Sequence, residues 1–191
     1  MNAPTKRPGM IVRGNRGDPE SVYDTYTYLN TDNTEHPMFQ SFANRSLALT
    51  NMTDAGKLPT GKSMYVLSFN TYIFCPAVLN NAKMLKLYAF FANTTVEFIK
   101  ENRAPSFTRT LQMLLGPALL VQHVPTTAGD NVQMPEPFYR GKFPIKTRAL
   151  DLGPNQTFKV RMIEQQTPDA DLNTIQIKFE IEGLMSKRIT S

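Results

Sequence analysis

The sequence predicts an all-β protein, an antiparallel β-sandwich, and three stretches carry that prediction. "NQTFKVRMIEQ" places Phe158, Val160 and Met162 on one face and Lys159 and Arg161 on the other. "NTIQIKFEIEG" places Ile175, Ile177, Phe179 and Ile181 inward and Gln176, Lys178, Glu180 and Glu182 outward. Alternation of this kind marks a strand with one buried and one wet face. The third stretch, "SMYVLSFNTYIFCP", is dense in β-branched and aromatic residues that suit a pleated surface, and Pro76 ends it. Gly/Pro punctuation between many short extended segments, with little helical periodicity, completes the pattern of a sandwich or barrel.

Taken in order, the chain opens on an arm. Its first 17 residues hold Lys6, Arg7, Arg13 and Arg16, no acid, several prolines and glycines, and one apolar patch, Met10 to Val12. Such a segment buries too little surface to fold alone. The expected organisation is a flexible basic arm over residues 1–20 and a single β-sandwich domain over 21–191. "SVYDTYTYLN" reads as a first short strand, and "TDNTEHP", with His36, as a loop. "MFQSFANRSLALTN" reads as extended, with Phe42, Leu47 and Leu49 toward the core. In the long strand after Lys62, period two groups Tyr65, Leu67, Phe69, Thr71 and Ile73 on one face. Met64, Val66, Ser68, Asn70 and Tyr72 fall on the other.

"PAVLNNAKMLKLYAFF" is where helix and strand compete. A helix would put Leu85, Tyr88 and Phe91 on one face. The reading adopted is a short helix or turn around Asn80 to Met84, then a strand. "TTVEFIKEN" is extended. "SFTRTLQMLLGPALLVQHV" reads as two strand segments about the Gly116-Pro117 turn. Residues 125–144, with Pro135, Pro137, Gly141 and Pro144, read as a long surface loop. The two alternating strands near the C-terminus are expected to pair with each other. Lys159 and Arg161 would then meet Glu180 and Glu182, each contact worth at most about 1 kcal/mol.

One motif invites a catalytic reading. "GKLPTGKS", Gly56 to Ser63, fits G-x-x-x-x-G-K-[ST] at every fixed position. A phosphate-binding loop needs a helix beginning at the lysine, whose free N–H groups and dipole hold the anion. Here a strand follows Lys62, and Asn51, Asp54, Gly56, Pro59 and Gly61 supply turn chemistry between strands, so the match is read as a turn. Cys75, the one cysteine, ends an apolar strand and reads as a buried thiol. His36 and His123 are far apart, and His123 lies in an apolar run as a core histidine does. Asp169 and Asp171 read as turn residues, with cation binding at a subunit contact the lesser alternative. No catalytic, cofactor-binding or metal-ligating residue is assigned, and no enzyme is expected.

Formal net charge is +5, hydrophobic content is 41%, and no apolar run approaches the roughly 20 residues of a membrane-spanning helix. The opening "MNAPTKRPGMIVRG" lacks the apolar stretch of a secretory signal. Beside the arm, Arg140, Lys142, Lys146 and Arg148 form a second acid-free basic stretch. Together with Lys6, Arg7, Arg13 and Arg16 they are the candidate contacts to a polyanion or to a neighbouring subunit.

Three patches resemble single jelly-roll capsid proteins of tailless icosahedral bacterial viruses, of membrane-containing or single-stranded-DNA type. They are "LALTNMTDAGKLPTGKSMYVLSF", "LDLGPNQTFKVRMI" and "IQIKFEIEGLMSKRITS", a little over a quarter of the chain. The resemblance implies an eight-stranded jelly roll that tiles a shell, with no cofactor. The implied partners are copies of itself and other capsid proteins, and the arm would reach viral genome or an internal membrane. The implied location is the virion, after synthesis in the host cytoplasm. The alternative is a β-sandwich binding module for carbohydrate or nucleic acid. Such a module presents exposed aromatics, whereas this chain has no Trp, and Tyr23, Tyr26 and Tyr28 cluster outside the strongest strands.

Overall fold

The computed structural model describes residues 18–30, 34–39, 49–75, 81–116, 139–146 and 150–186. The arm residues 1–17, Phe42, Leu47, His123 and Arg148 lie outside the described residues. Among the described residues the protein is mostly β, with eight strands in two antiparallel four-stranded sheets and few helices. The strands are β1 (Asp18–Thr27), β2 (Glu35–Met38), β3 (Ser63–Phe74), β4 (Thr94–Lys100), β5 (Phe107–Thr110), β6 (Tyr139–Pro144), β7 (Phe158–Glu164) and β8 (Gln176–Ser186). Helix α1 spans Asn81–Asn93 and α2 spans Leu111–Leu115. One sheet runs β1-β8-β3-β6 and the other β2-β7-β4-β5.

The alternating strands face as their sequences require. Ile177, Phe179 and Ile181 of β8, with Ile175 just before it, are buried, as are Phe158, Val160 and Met162 of β7. They share one core with residues of both sheets. Phe69 of β3 lies 6.0 Å from Phe107 of β5, ring centre to ring centre, and Phe143 of β6 lies 5.6 Å from Phe107.

Pairing departs from expectation. β7 and β8 are not partners: β7 lies between β2 and β4, and β8 between β1 and β3. Both strands are flanked on two sides, which pairs their backbones on both edges; a lone hairpin would leave two open edges. Arg161 accordingly pairs with Glu97 and Glu35 rather than with Glu180 or Glu182.

The facing of β3 also changes along its length. Its register against β8 shifts between Val66 and Ser68, leaving Leu67 as an extra residue. An inserted residue reverses the alternation beyond it. Met64 and Val66 point inward before the bulge and Phe69, Thr71 and Ile73 after it, while Tyr65 and Leu67 are exposed. Period two across the whole strand had grouped Tyr65 and Leu67 with Phe69.

Helix α1 is a full helix, not a short turn followed by a strand. Met84, Leu87, Phe90 and Phe91 are buried along one stripe at spacings of three and four, whereas Leu85 is 65% exposed. The apolar face is thus displaced by one residue from the Leu85–Tyr88–Phe91 face. After Thr110, which caps α2 by accepting from the Met113 N–H, the chain turns helical and buries Leu111, Leu114 and Leu115. The strand expected before Gly116 is thus limited to β5, Phe107–Thr110, and the rest of the segment is helical. The expected loop over 125–144 ends earlier, because residues 139–144 form β6; residues 125–138 lie outside the described residues. The arm's expected end at residue 20 likewise gives way to β1, which starts at Asp18.

Candidate interaction surface

The pairing register lays out the outward face of the first sheet as rows across its four strands. One row is Thr25, Lys178, Tyr72 and Arg140; the next is Tyr23, Glu180, Asn70 and Lys142; the third is Ser21, Glu182, Ser68 and Pro144. Polar residues at alternate positions of β8, β3 and β6 therefore meet, although far apart in sequence. Glu182 accepts from Lys142 Nζ at 2.7 Å, Ser68 Oγ at 2.9 Å and Asn70 Nδ2 at 3.2 Å. The Lys142 bond and the two neutral donors hold its carboxyl down at about 2. Burial and the Glu180 carboxylate, which accepts its hydroxyl at 2.7 Å, push Tyr72 up to about 12. Burial works to raise Glu180, but donors from Tyr72, Ser21 and Asn70 and the charge of Lys178 outweigh it, so its carboxyl is lowered. The Lys178 ammonium stands 3.9 Å from the Tyr23 ring centre and 5.6 Å from that of Tyr72, and the Arg140 guanidinium 5.3 Å from Tyr72.

These contacts define the state of the described basic residues. Lys142 is paired with Glu182 and Arg140 rests on a tyrosine, so both are engaged within the sheet; Lys146, just beyond β6, is exposed. Tyr23 and Tyr72 lie beneath cations of the same sheet rather than bare. Beyond the polar rows, Pro19, Leu184 and Tyr65 align across β1, β8 and β3, with Leu67 at the bulge nearby. Tyr65 and Leu67 are 37% and 40% exposed. This apolar strip lies at the end of the sheet where β1 begins. The free edge of β1 is covered at its middle: Asn51 accepts from the Tyr23 N–H and donates to the Ser21 carbonyl, and Thr50 Oγ1 donates to the Tyr23 carbonyl.

The phosphate-loop motif forms turns. Lys57 N–H donates to Asp54 and Lys62 N–H to Pro59, and a strand begins at Ser63. Gly56, at φ +57°, approaches so closely that an added Cβ would lie 2.3 Å from the Phe158 carbonyl oxygen. Its role is to let this loop pass against β7. Lys62 Nζ pairs with Glu20 at 3.3 Å. Lys62→Ala is expected to leave the domain folded, and neither parent nor variant to bind ATP or GTP by titration calorimetry. Saturable micromolar binding to the parent, lost in the variant, would overturn the turn reading.

Asp169 and Asp171 cap a 3₁₀ turn, Ala170–Leu172, through the Asp169 carboxylate and the Asp171 N–H. Lys86 of α1 bridges them, 3.0 Å from Asp169 and in contact with Asp171. The two carboxylates thus have a cation of the chain's own between them. Cys75 is buried, as expected. An open cleft of about 280 Å³ involves Phe39, Gly56, Ile99 and Phe158, with Glu101 and Lys159 as its charged lining.

A second cluster escaped the sequence reading. His36 is a buried residue of β2, not of a loop, and Glu164 continues the inward row Phe158, Val160, Met162 as its fourth member. Period two carried two residues further would have placed that carboxylate inside. Its acceptors take the Tyr28 hydroxyl at 3.1 and 3.2 Å, and His36 Nε2 lies 3.8 Å away.

Compared with family models, with curated proteins and with solved structures, the chain finds no significant match.

Proposed function

We propose that this chain is a jelly-roll subunit of an icosahedral viral shell, assembling through its edges and its basic arm. The observation that carries the reading is strand order. Four antiparallel pairs, β1·β8, β2·β7, β3·β6 and β4·β5, are distributed alternately between two sheets, β1-β8-β3-β6 and β2-β7-β4-β5. This is the order obtained by rolling one long four-pair hairpin onto itself, the topology used by viral shells and by some lectins. Between these uses, the outer face argues for assembly. Tyr23 and Tyr72 are engaged by Lys178, Arg140 and Glu180, so these two offer no bare platform to a sugar or a base. What stays exposed is the apolar strip of Pro19, Tyr65 and Leu67. An apolar strip suits a neighbouring copy whose arm carries Met10 to Val12.

Deleting residues 1–17, or making Leu67→Asp, is expected to spare the thermal melt and to reduce assembly seen by light scattering. The salt series separates two roles for the arm. Contact with a polyanion weakens steeply with salt because condensed counterions are released, whereas apolar docking does not. A parent protein that stays monomeric by scattering at every salt concentration sinks the shell reading. Variants that assemble as well as the parent remove the arm and the strip from it.

A further inference from the structure

Edge strand β2 is short and weakly held by its backbone. It has four residues, pairs among the described strands with β7 alone, and includes Pro37, which has no N–H to donate. Its inward residues are His36, 2% exposed, and Met38. His36 packs against Tyr26, ring centres 4.7 Å apart, and against the edge of Tyr28 at 6.1 Å. The far side is the Glu164 carboxylate, whose side chain has no exposure. Tyr28 OH donates to that carboxylate and accepts from the Asp169 N–H at 3.0 Å. The Glu164 N–H donates to the Thr34 carbonyl, so this corner also carries the chain into β2. Asp169 adds a negative charge nearby, itself paired with Lys86 of α1, and Gln166 hydrogen-bonds to Glu164. Glu35, the other titratable group of β2, faces out toward Arg161.

We propose that Tyr28, His36 and Glu164 form a proton-operated latch that holds β2 onto β7 and releases it when the proton leaves. With a proton held on the Glu164 carboxyl the buried corner is neutral. Without it, a full negative charge is enclosed with only hydrogen-bond donors to meet it, and opening the corner to water relieves that state. Burial raises the Glu164 carboxyl above its usual range, against the lowering effect of the Tyr28 and Gln166 bonds. The native state therefore keeps a proton that the unfolded chain has already lost. The corresponding stability is present below the ordinary carboxylate range and is lost as pH rises through the native value. The carboxyls that are lowered, Glu180, Glu182 and Asp169, act in the acid range below and leave this window to the latch.

The test is amide hydrogen exchange by NMR on the full chain between pH 5 and 8, corrected for intrinsic exchange. Protection at His36 and Met38 is expected to fall by up to about tenfold per pH unit from the ordinary carboxylate range up to the raised native value of Glu164 and to level off above it, while amides of β8 hold. In Glu164→Gln the fall is expected to vanish. Should that variant not fold, Tyr28→Phe takes its place: with a donor to the charged form removed, the fall moves to higher pH. Protection at β2 that is flat in the parent, that falls in step with β8, or that falls equally in Glu164→Gln overturns the latch. So does an unmoved midpoint in Tyr28→Phe.

Discussion

Phe179→Ala is expected to destabilise the domain by about 3–5 kcal/mol, the range for truncating a buried aromatic and leaving a cavity. Phe179 sits mid-strand in β8, opposite Asp24 of β1 on one side and Thr71 of β3 on the other, and is fully buried. Its ring lies 5.1 Å from that of Phe69, so truncation removes contacts from both strands at once. With backbone paired on both sides, β8 has little freedom to shift inward and fill the space. Lys178→Ala, the next residue on the opposite face, is the internal control. It loses an ammonium stacked over Tyr23 and the stem packed beneath it, a half-buried contact worth at most about 1 kcal/mol. Denaturant melts at constant slope measure both. Equal losses in the two variants would mean that the facing of β8 is wrong.

Gly141→Ala is expected to cost as much as a severe overpacking change, at or above the upper end of roughly 1–3 kcal/mol. Gly141 lies on β6, the edge strand of the first sheet, opposite Thr71. A Cβ there would come within 2.1 Å of the Leu114 carbonyl oxygen and 2.5 Å of the Leu115 Cα. Both are backbone atoms of α2, which cannot yield alone because Leu111, Leu114 and Leu115 seat it in the core. Either the helix lifts or β6 moves away from it. Movement of β6 also pulls Lys142 from Glu182, so the Glu182 carboxyl, held at about 2 in the parent, should titrate nearer the ordinary carboxylate range in the variant. Gly153→Ala is the contrasting case, since its Cβ would meet only the Gln156 side chain at 3.3 Å. It is expected to stay within about 0.5 kcal/mol. Thermal melts of the two glycine variants with similar midpoints would remove the close approach of β6 and α2 as a determinant of the fold.

The sequence by itself determined which segments near the C-terminus are strands and which residues they bury. Side-chain alternation is a local property of the extended chain, and Phe158 to Met162 and Ile175 to Ile181 carry it without interruption. It also determined that Lys62 precedes a strand, since a run of branched and ring side chains disfavours the helix a phosphate site requires. Only the tertiary structure decided which strands are neighbours. β7 and β8 look alike in isolation, yet each lies between two others in its own sheet, because burying every backbone group and both inner faces is a condition on the whole chain. The bulge at Leu67 belongs to the same level: an extra residue is defined only against a partner strand, and it turns Tyr65 and Leu67 outward. So does the meeting of Tyr28 with Glu164, 136 residues apart. Periodicity assigns each of them a side; the partner it finds there is set by long-range closure of the two sheets.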